Sequence, residues 1–198
     1  LAVDLGAGFG MHSIPLARAG FRVVSIDTSE LLLSELSALA GDLSIDIRCG
    51  DLLDFATFLP ADLRPRLILC MGDTLTHLDD FNSVRRLAQI VAENLERGGR
   101  FLATFRDYTQ LPRGDARFIP VRSSDDRIFT CFLEEHPEHV QVHDIVHERR
   151  EGGWTTRVSS YRKLRLDPER ARQAFVSLGL KAKVEPGPRG MQRLIVDA

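Results

Sequence analysis

The chain has 198 residues, 43% of them hydrophobic, which is enough for one substantial core and short for two. Its 26 Lys and Arg stand against 28 Asp and Glu, so a net charge of -2 offers no field to gather nucleic acid or an anionic membrane. Three scattered cysteines without a C-x-x-C pair exclude a disulfide framework or zinc knuckle, and no run approaches the roughly 20 apolar residues that span a bilayer. A soluble protein of the reducing cytoplasm, acting on a small partner and binding neither nucleic acid nor membrane, is the expectation.

The chain opens on an apolar strand, Leu1 to Leu5, which runs directly into Gly6, Gly8 and Gly10. Nothing precedes this strand to cover its start, so the numbering is expected to begin inside a longer protein. A helix is predicted from His12 to Ala19, stopped by Gly20, and a second strand from Phe21 to Asp27. Ser29 is a favoured N-cap for a helix with an apolar stripe at Leu32, Leu33, Leu36 and Leu39, ended by Gly41. Ser44 to Cys49 reads as the third strand and Leu67 to Met71 as the fourth. Asp79 or Asp80 caps a helix whose Val84, Leu87, Ala88, Val91, Ala92 and Leu95 recur at helical spacing, and Arg100 to Phe105 is the fifth strand.

Beyond Asp107 the rhythm changes to period two, over Arg127 to Glu134, Val140 to Arg149 and Trp154 to Leu166, with a turn at Glu151-Gly152-Gly153. Asp167-Pro168 then starts a helix with Ala171, Ala174, Phe175 and Leu178 inward, and strands over Leu180 to Glu185 and Met191 to Asp197 close the chain. The predicted class is α/β: a doubly wound, mostly parallel seven-stranded sheet with helices on both faces and an antiparallel insertion after the fifth strand. One domain over residues 1–198 is expected, with residues 107–165 as an insertion on the substrate side.

Open α/β sheets bind ligands beyond the carboxyl ends of their strands, and two features mark that end here. Glycines two apart let a ligand approach the backbone, and Asp27 ends the second strand about 20 residues later, where a carboxylate accepts ribose hydroxyls. Together they indicate a nucleoside. A dinucleotide site needs a small third residue in G-x-G-x-x-G/A, and Met11 occupies that place. The sequence Asp4-Leu5-Gly6-Ala7-Gly8-Phe9-Gly10 instead resembles motif I of the Rossmann-like S-adenosylmethionine-dependent methyltransferases. The likeness runs from Leu1 to about Phe105 in motif order and returns in the final helix and strand pair.

That resemblance implies S-adenosylmethionine as cofactor and assigns the sites residue by residue. Asp4, Gly6, Ala7, Gly8 and Gly10 take the methionyl end, and Asp27 with Thr28 the ribose. Cys49-Gly50-Asp51-Leu52 supplies Gly50, Asp51 and Leu52 toward the adenine, and Cys70, Met71 and Gly72 pass beside the methyl donor. Within the family, Cys70-Met71-Gly72-Asp73-Thr74 and Phe105-Arg106-Asp107-Tyr108 are similar to the C-x-G-N-S and H-R-N-Y segments of glycine and sarcosine N-methyltransferases. The resemblance therefore implies Arg106 as a carboxylate clamp, a role suited to a bidentate guanidinium.

Asp73 replaces the relatives' Asn, next to where a carboxylate substrate would sit. Substrate contacts are expected from Asp73, Arg106, Tyr108 and Tyr161, and Asp73 or His77 is the candidate base for a small-molecule amine or hydroxyl. The absence of N-P-P-Y or D-P-P-Y after the fourth strand speaks against methylation of nucleic-acid bases. His136, His139, His143 and His147 lack the ordered spacing of a metal site and read as structural, so no metal is expected. Two other functions stay open: a non-catalytic S-adenosylmethionine-binding module and a nicotinamide-dependent oxidoreductase.

Overall fold

A computed structural model describes all residues 1–198. The chain divides into two compact units, Leu1–Arg106 with Pro168–Ala198, and Asp107–Asp167.

The first unit is built on β1 (Ala2–Leu5), β2 (Val23–Asp27), β3 (Ile45–Cys49), β4 (Leu67–Cys70), β5 (Arg100–Phe105) and, from the end of the chain, β10 (Lys181–Pro186) and β11 (Gln192–Asp197). They form one seven-stranded sheet in the order β10-β11-β5-β4-β1-β2-β3. The pairs β1/β2, β2/β3, β1/β4 and β4/β5 are parallel, while β11 runs antiparallel to both β5 and β10. The chain leaves β1 toward β2 and β3, then returns to the other side of β1 with β4. The carboxyl ends of β1 and β4 thus flank the switch point where such sheets open a crevice.

Register decides which side chains face which helices. Val3, Ile68, Phe101 and Val196 lie opposite one another along neighbouring strands and share one face. Phe101 stacks on Phe175 of α4 (Pro168–Val176) with ring centroids 5.1 Å apart, which assigns that face to α4 and to α3 (Phe81–Asn94), whose Phe81 ring lies 3.8 Å from the Arg170 guanidinium carbon. The opposite face presents Ala2, which packs with Ala17 of α1 (Ser13–Arg18), while Ala7 packs with Leu33, Leu36 and Ala40 of α2 (Glu30–Ala40).

Ser29 caps α2 by accepting the Leu32 N–H, and Asp80, rather than Asp79, caps α3 by accepting the Ser83 N–H. Two leucines expected to point inward do not. Leu39 is 58% exposed because Leu33, Leu36 and Ala40 already fill the buried stripe, and Leu178 is 42% exposed because it lies past the end of α4.

The second unit is a four-stranded antiparallel sheet of β6 (Phe118–Ser123), β7 (Arg127–Glu135), β8 (His139–Arg150) and β9 (Gly153–Leu164), in that order. It is the antiparallel insertion expected after the fifth strand. β6 escaped the sequence reading because Pro120 and a register break between Pro120 and Arg122 spoil its alternation, as edge strands allow. The turn at Glu151-Gly152 is sharp, with Gly152 and Gly153 at φ of 102° and 123°. Tyr108, Leu133, Val140 and Val142 form the unit's core, with Leu111 and Cys131 against it.

The Phe101–Phe175 stack fastens the last helix to the central sheet, and both rings are fully buried. Phe175→Ala is expected to cost about 3–5 kcal/mol through lost burial and a cavity. Urea unfolding should show this as a lower midpoint at unchanged slope.

Candidate active site

The glycine turn after β1 is dictated by three left-handed residues, Gly6, Gly8 and Gly10, at φ of 73°, 54° and 93°. Their surroundings separate their roles. A Cβ on Gly6 would lie 2.5 Å from Thr74, and one on Gly10 would lie 2.3 Å from Leu36 of α2, so these two glycines permit close packing. A Cβ on Gly8 would meet only Leu32, at 3.9 Å, which leaves that stretch of backbone open to an incoming group.

The turn is tied to the second strand by one carboxylate. Asp27 accepts the Gly8 N–H at 2.8 Å on one oxygen and the Ser29 N–H at 2.9 Å on the other. Asp27 therefore joins the end of β2 to the turn and to the cap of α2. A carboxylate has about four lone-pair sites, so each oxygen keeps one for a hydroxyl.

Beside it opens a cleft of about 410 Å³, lined by Gly6, Ile26, Asp27, Thr28, Leu32, Gly50, Asp51, Leu52, Thr74, His77 and Leu78. This volume suits a nucleoside-sized ligand. Ile26, Leu32, Leu52 and Leu78 supply apolar walls. Asp51 accepts the Leu53 N–H at 2.7 Å and caps the 3-10 helix Leu52–Phe58, which fixes its carboxylate at the rim. Gly50 is held free of a side chain by the Phe58 ring, 2.6 Å from where a Cβ would stand.

Asp4 is the deepest acid of the site, 1% exposed. Its Oδ2 accepts the Ser13 hydroxyl at 2.6 Å, and Ser13 in turn accepts the Ser25 hydroxyl at 2.8 Å. Its Oδ1 is buried without a hydrogen-bond partner. Burial pushes this carboxyl above the ordinary carboxylate range, opposed mainly by the Ser13 hydrogen bond.

The loop after β4 carries Gly72 and Asp73, both left-handed. The Gly72 N–H donates to the Thr104 hydroxyl at 2.9 Å, and the Asp73 N–H donates to the Thr104 carbonyl at 2.9 Å. The 8% exposed Asp73 carboxylate accepts the Arg106 backbone N–H at 2.8 Å. Arg106 therefore meets Asp73 through its main chain, while its guanidinium donates to the Arg189 carbonyl at 3.3 Å. His77 ends the 3-10 helix Thr74–His77 on the cleft wall.

Six of the expected cofactor residues, Gly6, Asp27, Thr28, Gly50, Asp51 and Leu52, share the cleft with His77. Asp4, Ala7, Gly8 and Gly10 build the turn behind it, and Cys70, Met71 and Gly72 continue β4 into its loop. Tyr108 and Tyr161 belong to the second unit, where Tyr108 is a core residue and Tyr161, 37% exposed, has Lys163 Nζ 5.8 Å from its ring. The histidines of that unit make local bonds, His143 to Glu134 and Ser160 and His147 to Thr156, each at 2.9 Å. Ser13, Ser25, Thr74 and Thr104 were not foreseen. Ser13 in the first helical turn was visible, but no sequence signal marked the strand residues Ser25 and Thr104 as partners.

The sheet order, the glycine turn at its switch point and the acidic nucleoside-sized cleft define the class as a Rossmann-like α/β protein built for a nucleoside. Residues 2–99 match the family described as methyltransferase domain. It is 29% identical over 130 residues to a cypemycin N-terminal methyltransferase of Streptomyces sp, covering 65% of this chain and 51% of that protein. It is 28% identical over 141 residues to a glycine/sarcosine N-methyltransferase of Parasynechococcus marenigrum (strain WH8102), covering 70% of this chain and 48% of that one. The chain thus spans about half the length of these curated relatives. The structure of the CcbJ methyltransferase from Streptomyces caelestis has the same fold, with a TM-score of 0.85 at 20% identity over 100% of this chain and 82% of that chain.

The different surroundings of the glycines give a direct test. Gly10→Ala forces a Cβ into Leu36 and should lower the melting temperature well beyond Gly8→Ala, whose cost is that of an unfavourable φ, about 1–3 kcal/mol. Equal losses in thermal denaturation would show that the packing distinction is wrong.

Proposed function

We propose that this chain transfers the methyl group of S-adenosylmethionine to an amine of a small acceptor. The observation that carries the reading is the Asp27 clamp, a carboxylate fixed by two backbone N–H groups on the wall of a cleft beside an open glycine. The remaining lone pairs of Asp27 would accept the ribose hydroxyls. The apolar walls would flank the adenine, and Asp51 would accept from its amino group.

The sign of the site's charge supports the choice of nucleoside. Asp27 and Asp51 place two acids on the cleft wall, a setting that attracts a sulfonium and disfavours a pyrophosphate. This favours the methyl donor over a nicotinamide dinucleotide. When bound, S-adenosylmethionine supplies an electrophilic methyl carbon, and the chain's task is to align the acceptor for in-line attack. His77 on the cleft wall is placed to take the proton of an ammonium acceptor. Asp73 spends carboxylate hydrogen-bonding capacity on the Arg106 N–H and serves as a brace for the loop.

The amine acceptor is supported by the names of the two relatives, one methylating a peptide N-terminus and the other glycine or sarcosine. Arg106, exposed at the end of β5, is the proposed contact for a carboxylate on that acceptor.

Calorimetry with S-adenosylhomocysteine is expected to show binding that Asp27→Ala weakens by about 1.5–3 kcal/mol, the worth of hydrogen bonds to a charged group. The melting temperature of that variant should also fall, since the clamp is lost. Labelled methyl donor supplied with a panel of amino acids, amino sugars and peptides should mark the acceptor. Absence of S-adenosylhomocysteine binding in the wild type would overturn the reading.

For an acceptor amine bearing a carboxylate, Arg106→Ala should raise KM by about 2 kcal/mol while cofactor affinity holds. The decarboxylated analogue should be indifferent to the substitution. If both amines respond alike, Arg106 is not the clamp.

A further inference from the structure

The guanidinium of Arg106 donates to a carbonyl 3.3 Å away, and that carbonyl belongs to a second arginine, Arg189. Register brings the two together. Gln192 of β11 lies opposite Phe105, so the turn between β10 and β11 stands at the carboxyl end of β5, where Arg106 follows. Both arginines are exposed and both belong to the first unit. Asp73, which accepts the Arg106 N–H, is followed by the cleft residues Thr74 and His77. Two cationic side chains thus issue from one place, at the end of the sheet that carries the cleft.

The backbone under Arg189 gives no reason for an arginine. Its turn is closed by main chain, with the Gly187 N–H donating to the Met191 carbonyl at 2.7 Å and the Met191 N–H to the Pro188 carbonyl at 3.1 Å. Arg189 stands inside this closure at φ of 54° and ψ of 37°, in the left-handed region. Glycine enters that region freely and a side chain is disfavoured there, so the turn by itself calls for glycine. A strained residue beside a crevice directs attention to what its side chain does.

The charge is not spent within the hairpin. Its acids are engaged elsewhere, Glu185 with Lys183 and Arg193, and Asp197 with Arg100. Arg106 gives one of its five N–H donors to the Arg189 carbonyl and keeps the rest. A single carboxylate takes a parallel pair of hydrogen bonds from one guanidinium and leaves the second cation unanswered. An anion of two charges answers both.

We propose that Arg189 is a specificity-determining residue: with Arg106 it selects an acceptor amine that carries a dianionic group, either a phosphate monoester or a pair of carboxylates. The inference rests on the methyl-transfer reading of the cleft and names the class of acceptor.

The test supplies labelled methyl donor with phosphoethanolamine, aspartate, glycine or ethanolamine, amines whose appended charge falls from a dianion to none. Wild type should favour phosphoethanolamine or aspartate over glycine by about tenfold in kcat/KM, the worth of one added hydrogen bond to a charged group. The better of the two names the anion. Arg189→Gly should raise KM for that amine about tenfold, with a much smaller rise for glycine and none for ethanolamine. Its melting temperature should hold or rise, because glycine suits the left-handed backbone, and its affinity for S-adenosylhomocysteine should hold. Arg189→Lys, which restores the charge without the fork, should recover part of the preference.

A wild-type preference for glycine over both dianions would overturn the inference. So would an Arg189→Gly variant that loses thermal stability and turns over every amine less well by the same factor, since that is the mark of a structural residue. If S-adenosylhomocysteine binds and none of the amines is methylated, the dianion assignment falls while the cofactor reading stands. Absence of S-adenosylhomocysteine binding sinks both.

Discussion

The Asp27 carboxylate is the contact on which the site's geometry depends. A turn with three left-handed glycines has no side chains to hold its shape, and its amides need acceptors. Ile26 accepts two of them, from Gly6 and Ala7, and Asp27 accepts the third from Gly8 while also receiving the Ser29 N–H that begins α2. One short side chain at the end of β2 thereby couples a strand, a loop and a helix cap. Its position also puts a carboxylate on the cleft wall, so the brace of the fold and the proposed ribose acceptor are one group. On the proposed function, stability and affinity are coupled at this residue.

Behind that clamp the sheet imposes its own constraint. Reversal of strand order between β1 and β4 opens a crevice beside the turns that follow these strands. Thr74, from the segment after β4, fills the space against Gly6, so the two turns are packed together rather than merely adjacent. The cleft is bounded by main chain fastened in this way on one side and by the Asp51 cap on the other. A site of this kind is preorganised: few of its groups need to be ordered by the ligand, which keeps the entropic cost of binding low.

Much of this was legible in the residues because local chemistry and global topology agree. Alternating apolar segments fixed the order of strands and helices, the glycine spacing marked the turn, and Asp27 and Asp51 were readable as acids at strand ends. What stayed hidden depends on contacts distant in sequence. Ser25 looked like an ordinary strand residue until register set it beside Asp4, and Thr104 gained its role only when β5 paired with β4. The distinct duties of Gly8 and Gly10 required knowing that Leu36 of α2 comes to within 2.3 Å of one and Leu32 no nearer than 3.9 Å to the other. Leu39 shows the reverse error, in which helical spacing alone marked one more inward residue than the face accommodates.

Asp73 shows how a departure from a motif is resolved by backbone geometry. The position has φ of 75°, a left-handed conformation that Asn and Asp tolerate better than other side chains, and its carboxylate accepts the N–H of Arg106. Both demands, left-handed tolerance and an acceptor oxygen at the same reach, are met by the Asn of the resembled enzymes and by Asp here. The exchange therefore conserves the brace between the ends of β4 and β5 and changes only charge. That negative charge is 8% exposed and directed at a main-chain donor. Its hydrogen bond to that donor offsets part of the repulsion a carboxylate-bearing acceptor would otherwise meet at the loop. The guanidinium of Arg106 leaves in another direction, to the Arg189 carbonyl, so it is oriented by the turn between β10 and β11 instead of by Asp73. The Asp73 carboxylate and the Arg106 guanidinium are thus held by different main-chain groups, so the acceptor contact proposed for Arg106 would leave its main-chain bond to Asp73 intact.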